Sequence, residues 1–564
     1  MVASHCLFSS KLEVGFSSRC FHWIKTAVYE VLKMKETRII TAALPFANNI
    51  PHLGNIAGSH LPADIFARFC KLKGYRTIFV GGTDEHGTAI EFAAQKLNKT
   101  PKELCDDLYI KHKSIYEWFG IGYDNFSRTS RPIHHKLVTE FFLSLHNAGV
   151  IIEDTINIPW CGRCQKGLAD RYITGTCPSC DYEGANGDQC EKCAKIIEAK
   201  ELLDPHCSVC KSNKVIFKDS KHLFLDLRNI SREIENWIDS NSNLRSQVKA
   251  LAKGWLRQGL LPRCITRDLK WGVKVPIKGY EDKIFYVWFD NVIGYISATL
   301  ELLGNEGKQL WKDEKTKTYY FLGKDNIPFH TLFWPGQIIA DGNYVLPHNV
   351  IGLQYVNFEG KKFSKSKQIG IFSDQAINSG IPLDYWRFYL TYILPETKDT
   401  DFVLADFKER VNKELIGNIG NFVNRTLKFA WNKYDGKVPA IKIRDAELEQ
   451  KIIDKVKNID SLYEKCEFRS ALTEILKLSD IGNRYFSDKA PWKDDNSDVI
   501  NYCTEISRIL AILISPIVTE ASQKILDLVN TSDTSLEISA VDKNITQPDI
   551  LFQPLEDENL RCLH

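Results

Sequence analysis

A chain of 564 residues is long enough for roughly three domains of ~150 to 200 residues each, and its 44% hydrophobic and 26% charged residues are ordinary for globular protein. A formal charge of only +2 excludes a global basic field, so contact with nucleic acid must come from local clusters. The most apolar stretch, Ile509 to Val518, falls well short of the ~18 residues a membrane span requires, so no membrane partner is expected.

Residues 1–37 form an N-terminal extension, Ser-rich and carrying Lys11, Arg19 and Lys25 against few acids. Two readings stand: an organellar targeting segment in residues 1–33, or a plain extension upstream of a second start at Met34, which goes with a cytoplasmic protein. From Arg38 a strand runs to Ala43, a helix from about His52 to Lys73, and a strand from Arg76 to Val80. Such alternation predicts a parallel sheet covered by helices, with ligands at the carboxyl ends of its strands. It stops near Ile151, where cysteines cluster, and resumes around Thr318 to Leu322, Val345 to Leu353 and Asp384 to Leu394.

The expected fold is therefore α/β, a Rossmann-like parallel sheet split by an insertion and followed by a helical bundle. Its parts are a first catalytic half over 38–150, a cysteine-knuckle insertion over 151–217, and the rest of the connective region with the start of the second half over 218–317. The second half follows over 318–400 and a helical domain over 401–564. In that last part Val411, Leu415, Ile419, Phe422, Val423 and Leu427 follow the helical period, and no strand-like run interrupts it for ~100 residues.

Of the sixteen cysteines, eight lie between residues 161 and 210 as four CxxC pairs: Cys161/Cys164, Cys177/Cys180, Cys190/Cys193 and Cys207/Cys210. Eight thiolates suit two tetrahedral Zn²⁺ sites with no open position, so the metal is structural; a single zinc and redox dithiols are the alternatives. Spacing does not say which pairs share an ion.

After the first strand comes Pro45-Phe46-Ala47-Asn48-Asn49-Ile50-Pro51, a turn, and then His52-Leu53-Gly54-Asn55 where the helix should open. A helix start offers unpaired N–H groups and a positive dipole end to an anion. Gly54 lets backbone approach a ligand, and His52 and Asn55 add donors. By itself this reads equally as a turn with a half-exposed histidine. A second feature shifts the balance: Gly360-Lys361-Lys362-Phe363-Ser364-Lys365-Ser366-Lys367, a lysine loop in the other half of the split sheet. No GxxxxGK[ST] pattern competes for a nucleotide.

Together the two stretches resemble the HIGH and KMSKS signatures of class I aminoacyl-tRNA synthetases. Resemblance to the methionyl-tRNA synthetase family, in its archaeal and eukaryotic cytosolic branch, runs from about Arg38 to Phe552 through ALPFANNIPHLGN, GGTDEHGT, KIFYVWFD, GKDNIPFHTLFWP, KKFSKSK, DYWRFYLTYILPETKD and GNFVNR. It implies an enzyme that activates L-methionine with ATP and Mg²⁺ and transfers the methionyl group to the terminal adenosine of tRNA(Met). His52, Asn55, Lys362 and Lys365 are then catalytic, and Gly54 and Ser364 join them around ATP. The implied methionine pocket is Leu44, Phe46, Asp84, Trp288, Tyr295, His330 and Trp334, with Asp84 holding the α-ammonium. Aromatic walls suit a thioether, which is selected through contacts of ~0.3 to 1.5 kcal/mol each rather than by strong hydrogen bonds.

Two departures stand out: Phe46 where many members have Tyr, and Asn291-Val292 where Ala-Pro or Ala-Thr is usual. Isoleucyl, valyl and leucyl enzymes need a large editing insertion, because one methylene gives only ~10 to 200-fold discrimination, and the insert here is mostly cysteine knuckles. Cysteinyl enzymes hold zinc at the substrate thiol and do not use four clustered CxxC pairs.

The resemblance further implies that the inner four cysteines share one zinc and the outer four another. It makes Asn421, Arg425 and Trp492 the readers of the CAU anticodon; Asn421 and Arg425 share a helix face at i and i+4, and Trp492 would stack on an unpaired base. An accessory tRNA-binding protein in trans is a further expected partner. A non-catalytic zinc-containing tRNA-binding protein derived from such an enzyme is the alternative, and retention of His52, Asn55, Asp84, Lys362 and Lys365 weighs against it.

Overall fold

The computed structural model describes residues 35–164, 166–168, 172–187, 190, 192–193, 197, 199–363, 369–493 and 496–563. The N-terminal extension through residue 34, and Ser364 and Lys365 of the lysine loop, lie outside the described residues.

The first three strands, β1 (Lys35–Ala42), β2 (Tyr75–Thr83) and β3 (Asn125–Arg128), precede a long antiparallel ribbon of β4 (Ile151–Cys161) and β5 (Val215–Leu225). β6 (Lys317–Gly323) and β7 (Asn349–Leu353) then return to the first sheet. Its order is β7-β6-β1-β2-β3, every neighbour parallel, with Ile39 paired to Thr318 on one side and Ile78 on the other. The chain leaves β1 first toward β2 and much later toward β6, so the sheet's switch point lies at the carboxyl ends of β1 and β6, where a doubly wound sheet opens a crevice.

The strands are apolar almost throughout because both faces are covered. Alternation sends Ile40, Ala42, Phe79 and Phe321 into one core, shared with the helix after β1 and with the C-terminal helices. Ile39, Ile78, Val80 and Leu322 enter the other core, shared with the connective segment and with Trp311 and Trp334.

Residues expected as a strand from Val345 divide differently: the strand begins at Asn349, after Pro347 has removed a backbone donor from the approach to it. The C-terminal part consists chiefly of helices, with Ser497–Ile514 buried from Val499 to its end at the centre. A two-residue ladder between Lys437–Val438 and Lys543–Asn544 interrupts the expected all-helical pattern. Beyond it the tail reaches the catalytic half, where the Tyr385 hydroxyl donates to the Gln553 carbonyl at 2.6 Å.

Arg387 joins the two parts. Fully buried on helix Leu383–Tyr392, its guanidinium donates to the Asp64 carboxylate at 2.7 Å, Phe119 O at 2.9 Å, Pro516 O at 2.8 Å and Ile517 O at 2.8 Å. The planar fork of arginine can satisfy so many acceptors at once; a lysine ammonium cannot.

Candidate active site

Leaving β1, the chain stays beside the end of β2: Asp84 N–H donates to Pro45 O at 2.8 Å and Ala47 N–H to Asp84 O at 2.8 Å. It then turns through Pro51 into a helix that opens at Leu53–Asn55, widens to a π-helical turn over Ile56–His60 and continues as Leu61–Leu72. The helix start is as the sequence predicts. Asn55 also caps it, its Oδ1 accepting from the His52 backbone N–H at 3.1 Å, so its amide nitrogen remains the donor for a ligand. Ser59 pins the turn to the neighbouring strand, accepting from Ala43 N–H at 2.9 Å and donating to Phe321 O at 2.8 Å.

A cavity of about 490 Å³ opens here, at the carboxyl ends of β1, β6 and β7. Leu44, Phe46, His52, Gly54, Asn55, Trp288 and Lys362 all line it. Two distant sequence stretches thus meet: Phe363 stacks on His52 with centroids 4.6 Å apart and planes 13° apart. A Cβ at Gly54 would stand 3.0 Å from the His52 ring and 3.4 Å from Phe363, so the glycine makes room for this stack as well as for a ligand. Lys362 and Lys324 hold their ammonium groups over Tyr355, 4.6 and 4.0 Å from its centroid, and the Tyr355 hydroxyl donates to Asp325.

The remaining four expected pocket residues are buried beneath the cavity. Asp84 Oδ2 accepts from Asn291 Nδ2 at 2.5 Å and Oδ1 from His86 N–H at 3.3 Å; burial and the nearby Asp290 push its carboxyl well above the usual range. His330 lies in a second π-helical turn, Phe329–Phe333. Its Nδ1–H donates to Asn326 O at 2.9 Å, which leaves Nε2 to accept from the Tyr295 hydroxyl at 2.8 Å. Burial lowers His330 to about 4, so the ring is neutral at neutral pH. Trp334 stands deeper, donating to the Tyr320 hydroxyl at 3.0 Å, and the Tyr320 ring lies 5.4 Å from Tyr295 and 5.8 Å from His330.

Sequence reasoning missed two elements of this site. Phe329 stacks on Trp288 with centroids 4.0 Å apart and planes 9° apart, while Phe46 meets the same indole edge-on at 5.9 Å. Its position beside His330 within GKDNIPFHTLFWP was the available signal. Asp290 receives His86 Nδ1 at 2.6 Å and faces His134 Nε2 at 3.5 Å, a fully buried cluster. Its members come from three separate segments, which nothing local in the sequence links.

A family model described as tRNA synthetases class I (M) matches residues 38–427, and one for the anticodon binding domain of methionyl tRNA ligase matches residues 438–563. The chain belongs to the class I methionyl-tRNA synthetase family. Its relatives in that family include the cytoplasmic methionine--tRNA ligase of Mus musculus, 40% identical over 93% of this chain and 61% of that protein. The methionine--tRNA ligase of Treponema denticola is 44% identical over 82% of this chain and 60% of that protein. The chain thus spans about three-fifths of the length of these two relatives. In fold it is similar to Mycobacterium tuberculosis methionyl-tRNA synthetase in complex with methionyl-adenylate, with a TM-score of 0.76, 21% identity, and coverage of 92% of this chain and 100% of that one.

In this member of the methionyl-tRNA synthetase family the cysteines sort into two groups, Cys161, Cys164, Cys207 and Cys210, and Cys177, Cys180, Cys190 and Cys193. Sγ separations are 3.5 Å for Cys161–Cys210, 3.9 Å for Cys164–Cys207, 3.8 Å for Cys177–Cys193 and 3.7 Å for Cys180–Cys190. Four sulfurs about 2.3 Å from a common tetrahedral centre stand about 3.8 Å apart, so both groups fit Zn²⁺, and disulfides, with S–S of about 2.05 Å, are excluded at these pairs. Backbone N–H bonds lower Cys190, through Cys193, and Cys210, through Ser212, to about 7, while desolvation and the neighbouring thiols push Cys164 and Cys180 up to about 12. The knuckles also lean on the catalytic half: Tyr172 donates to Glu91 at 3.3 Å and meets Phe92 edge-on at 5.8 Å.

At the far end of the bundle, Arg425 donates to Asn483 O at 3.2 Å and lies over Phe486 at 4.5 Å. Trp492, 55% exposed, packs its ring 5.8 Å from the same Phe486. Phe486, which sequence reading passed over, is therefore what brings Arg425 and Trp492 together, and Asn421 is exposed one turn before Arg425. Among the described residues no helix is long and apolar enough to cross a membrane.

Proposed function

We propose that the protein is a methionine--tRNA ligase. A methionine carboxylate oxygen attacks the α-phosphorus of ATP, the bond to pyrophosphate breaks, and methionyl-adenylate forms. A hydroxyl of the terminal adenosine of tRNA(Met) then attacks the activated carbonyl and AMP departs. The observation that carries this reading is one cavity of about 490 Å³ lined by the His52–Asn55 helix start, by Lys362 and by Leu44, Phe46 and Trp288, with the buried carboxylate of Asp84 beneath.

Charge builds on the phosphoryl oxygens and pyrophosphate in the first step, so catalysis rests on positioning and on preorganised donors. His52 and Asn55 supply them from the helix start, together with its backbone N–H groups, beside Gly54. Lys362 faces them from the other side, Ser364 and Lys365 of the same loop are its further candidates, and Mg²⁺ accompanies the nucleotide. Trp288, Leu44 and Phe46 wall the side chain of the amino acid. Tyr295 and His330, bonded to each other, and Trp334, bonded to Tyr320, back it with donors that are already engaged, which suits a thioether that offers no strong hydrogen bond in return.

The two cysteine groups hold two structural zinc ions; with sulfur at every position, none is left open for substrate. Tyr172 then anchors the knuckles beside the helix that follows Asp84. Asn421, Arg425 and Trp492 read the anticodon, an accessory protein can add tRNA affinity in trans, and the relatives named cytoplasmic support a cytoplasmic setting.

Amino-acid-dependent ATP–pyrophosphate exchange with each of the twenty amino acids, in zinc-replete buffer, tests the reading. Exchange is expected with methionine; its absence with every amino acid defeats an enzymatic role, and exchange with another one alone reassigns the pocket.

A further inference from the structure

Three acids close to one another in the chain or in space are buried in this half, Asp84, Glu85 and Asp290, each no more than 1% exposed. Uncompensated buried carboxylates are costly, and two of the three have an evident remedy. Glu85 receives Arg128 Nε at 2.8 Å and the Ser130 hydroxyl at 2.5 Å. Asp290 has the imidazoles of His86 and His134. Asp84 has no cationic side chain within ion-pair distance among the described residues. Its one side-chain donor is the neutral amide of Asn291, at 2.5 Å.

Asn291 opens the turn Asn291–Ile293, directly after the helix Val287–Asp290 that carries Trp288, and is itself 3% exposed. The Asn291 amide nitrogen faces Asp84, whose Oδ2 accepts from it. A single neutral donor has a particular consequence here. A cation at this position would satisfy Asp84 and compete with an incoming ammonium, while an alanine would leave Oδ2 with no side-chain donor. The amide holds one oxygen and leaves the negative charge unneutralised. Burial and Asp290 both work against the ionised form of Asp84, and the Asn291 hydrogen bond opposes them.

We propose that Asn291 is a positioning residue for the amino-acid substrate, fixing the Asp84 carboxylate in the orientation that receives the α-ammonium group. This rests on the functional reading above and assigns a role to one of the two positions at which the sequence departs from the family it resembles. Asn291 need not touch substrate; it acts through Asp84.

The test compares two fragments of methionine on the full-length protein: L-methioninol, which keeps the ammonium and lacks the carboxylate, and 4-(methylthio)butanoate, which keeps the carboxylate and lacks the ammonium. Calorimetric binding of each is measured for the wild type, Asn291→Ala and Asn291→Ser, alongside methionine-dependent exchange. In Asn291→Ala, methioninol binding is expected to weaken about tenfold, the scale of one hydrogen bond to a charged group, while the butanoate changes less than about twofold. Asn291→Ser, which retains a donor, recovers part of the loss. The butanoate also reports whether the pocket has kept its shape. Equal weakening of both fragments, or no change in either, overturns the assignment while leaving wild-type exchange, and the functional reading, intact. A wild type without exchange for any amino acid removes the functional reading and this inference with it.

Discussion

The two ends of the molecule that carry candidate binding residues are built in opposite ways. At the sheet, Asp84, Tyr295, His330 and Trp334 are buried and held by hydrogen bonds to groups from other segments. In the helical part, Asn421 and Trp492 are exposed, and among the described residues Phe486 touches both Arg425 and Trp492. On the proposed function, a small amino acid has few atoms with which to be recognised, so a site for it is enclosed and completed in advance. An RNA loop brings splayed bases and tolerates an open surface, where stacking and base-edge contacts supply the affinity.

Four experiments break or sharpen that contrast. Arg387 is the buried tie between the catalytic half and the helical part, and Arg387→Met takes a donor from three carbonyls and from Asp64, which keeps Arg68 Nε at 2.8 Å and the Gly122 N–H at 2.8 Å. A loss of ~3 to 5 kcal/mol is expected in urea unfolding, since three buried carbonyls lose this donor at ~1 to 3 kcal/mol each. Exchange and aminoacylation should fall together; loss of only one would show that the two ends do not depend on this tie.

Asp84→Asn affects activity and stability in contrasting ways. Methionine exchange should drop ~100-fold or more, because a desolvated charge contact is lost. The unfolding midpoint should hold or rise, because a buried carboxylate without a cation is removed. A concurrent loss of stability would make Asp84 a structural residue instead.

Trp492→Ala should raise KM for tRNA in aminoacylation by ~10-fold, corresponding to ~1 to 3 kcal/mol of stacking, and leave exchange unchanged. Equal losses in both assays would return Trp492 to the fold.

The smallest effect concerns pH. Burial lowers His330 to about 4 in the folded chain, against ~6.5 when unfolded, so the unfolded chain takes up the proton first. This histidine's contribution is therefore intact above pH 6.5 and lost as pH falls toward 4, about 1 kcal/mol of it between pH 6.5 and 5.5. Urea midpoints of His330→Gln should be less acid-sensitive than wild type by that amount; an unchanged slope would mean that His330 is solvated.

Legibility in the sequence followed how local each signal was. The helix start at His52, the first-half strands and the Cys pairs were readable because turn residues, apolar period and CxxC spacing act over a few positions. The start of the strand at Asn349 was misjudged because apolar residues at Val345 and Leu346 resemble strand until Pro347 intervenes. The short ladder of Lys437–Val438 with Lys543–Asn544 pairs segments a hundred residues apart and left no pattern to read.

By itself the sequence determined the element types, the family and the residue kinds its chemistry requires, since these follow from periodicity, capping and motif order. Tertiary structure alone decided who partners whom: that Phe329 lies flat on Trp288, that Phe363 covers His52, that Arg387 joins Asp64 to the carbonyls of residues 516 and 517, and that Asn291 holds Asp84. Each of these contacts brings together side chains from separate elements, and a hydrogen bond or ring stack depends on ångström distances that composition and spacing along the chain do not encode.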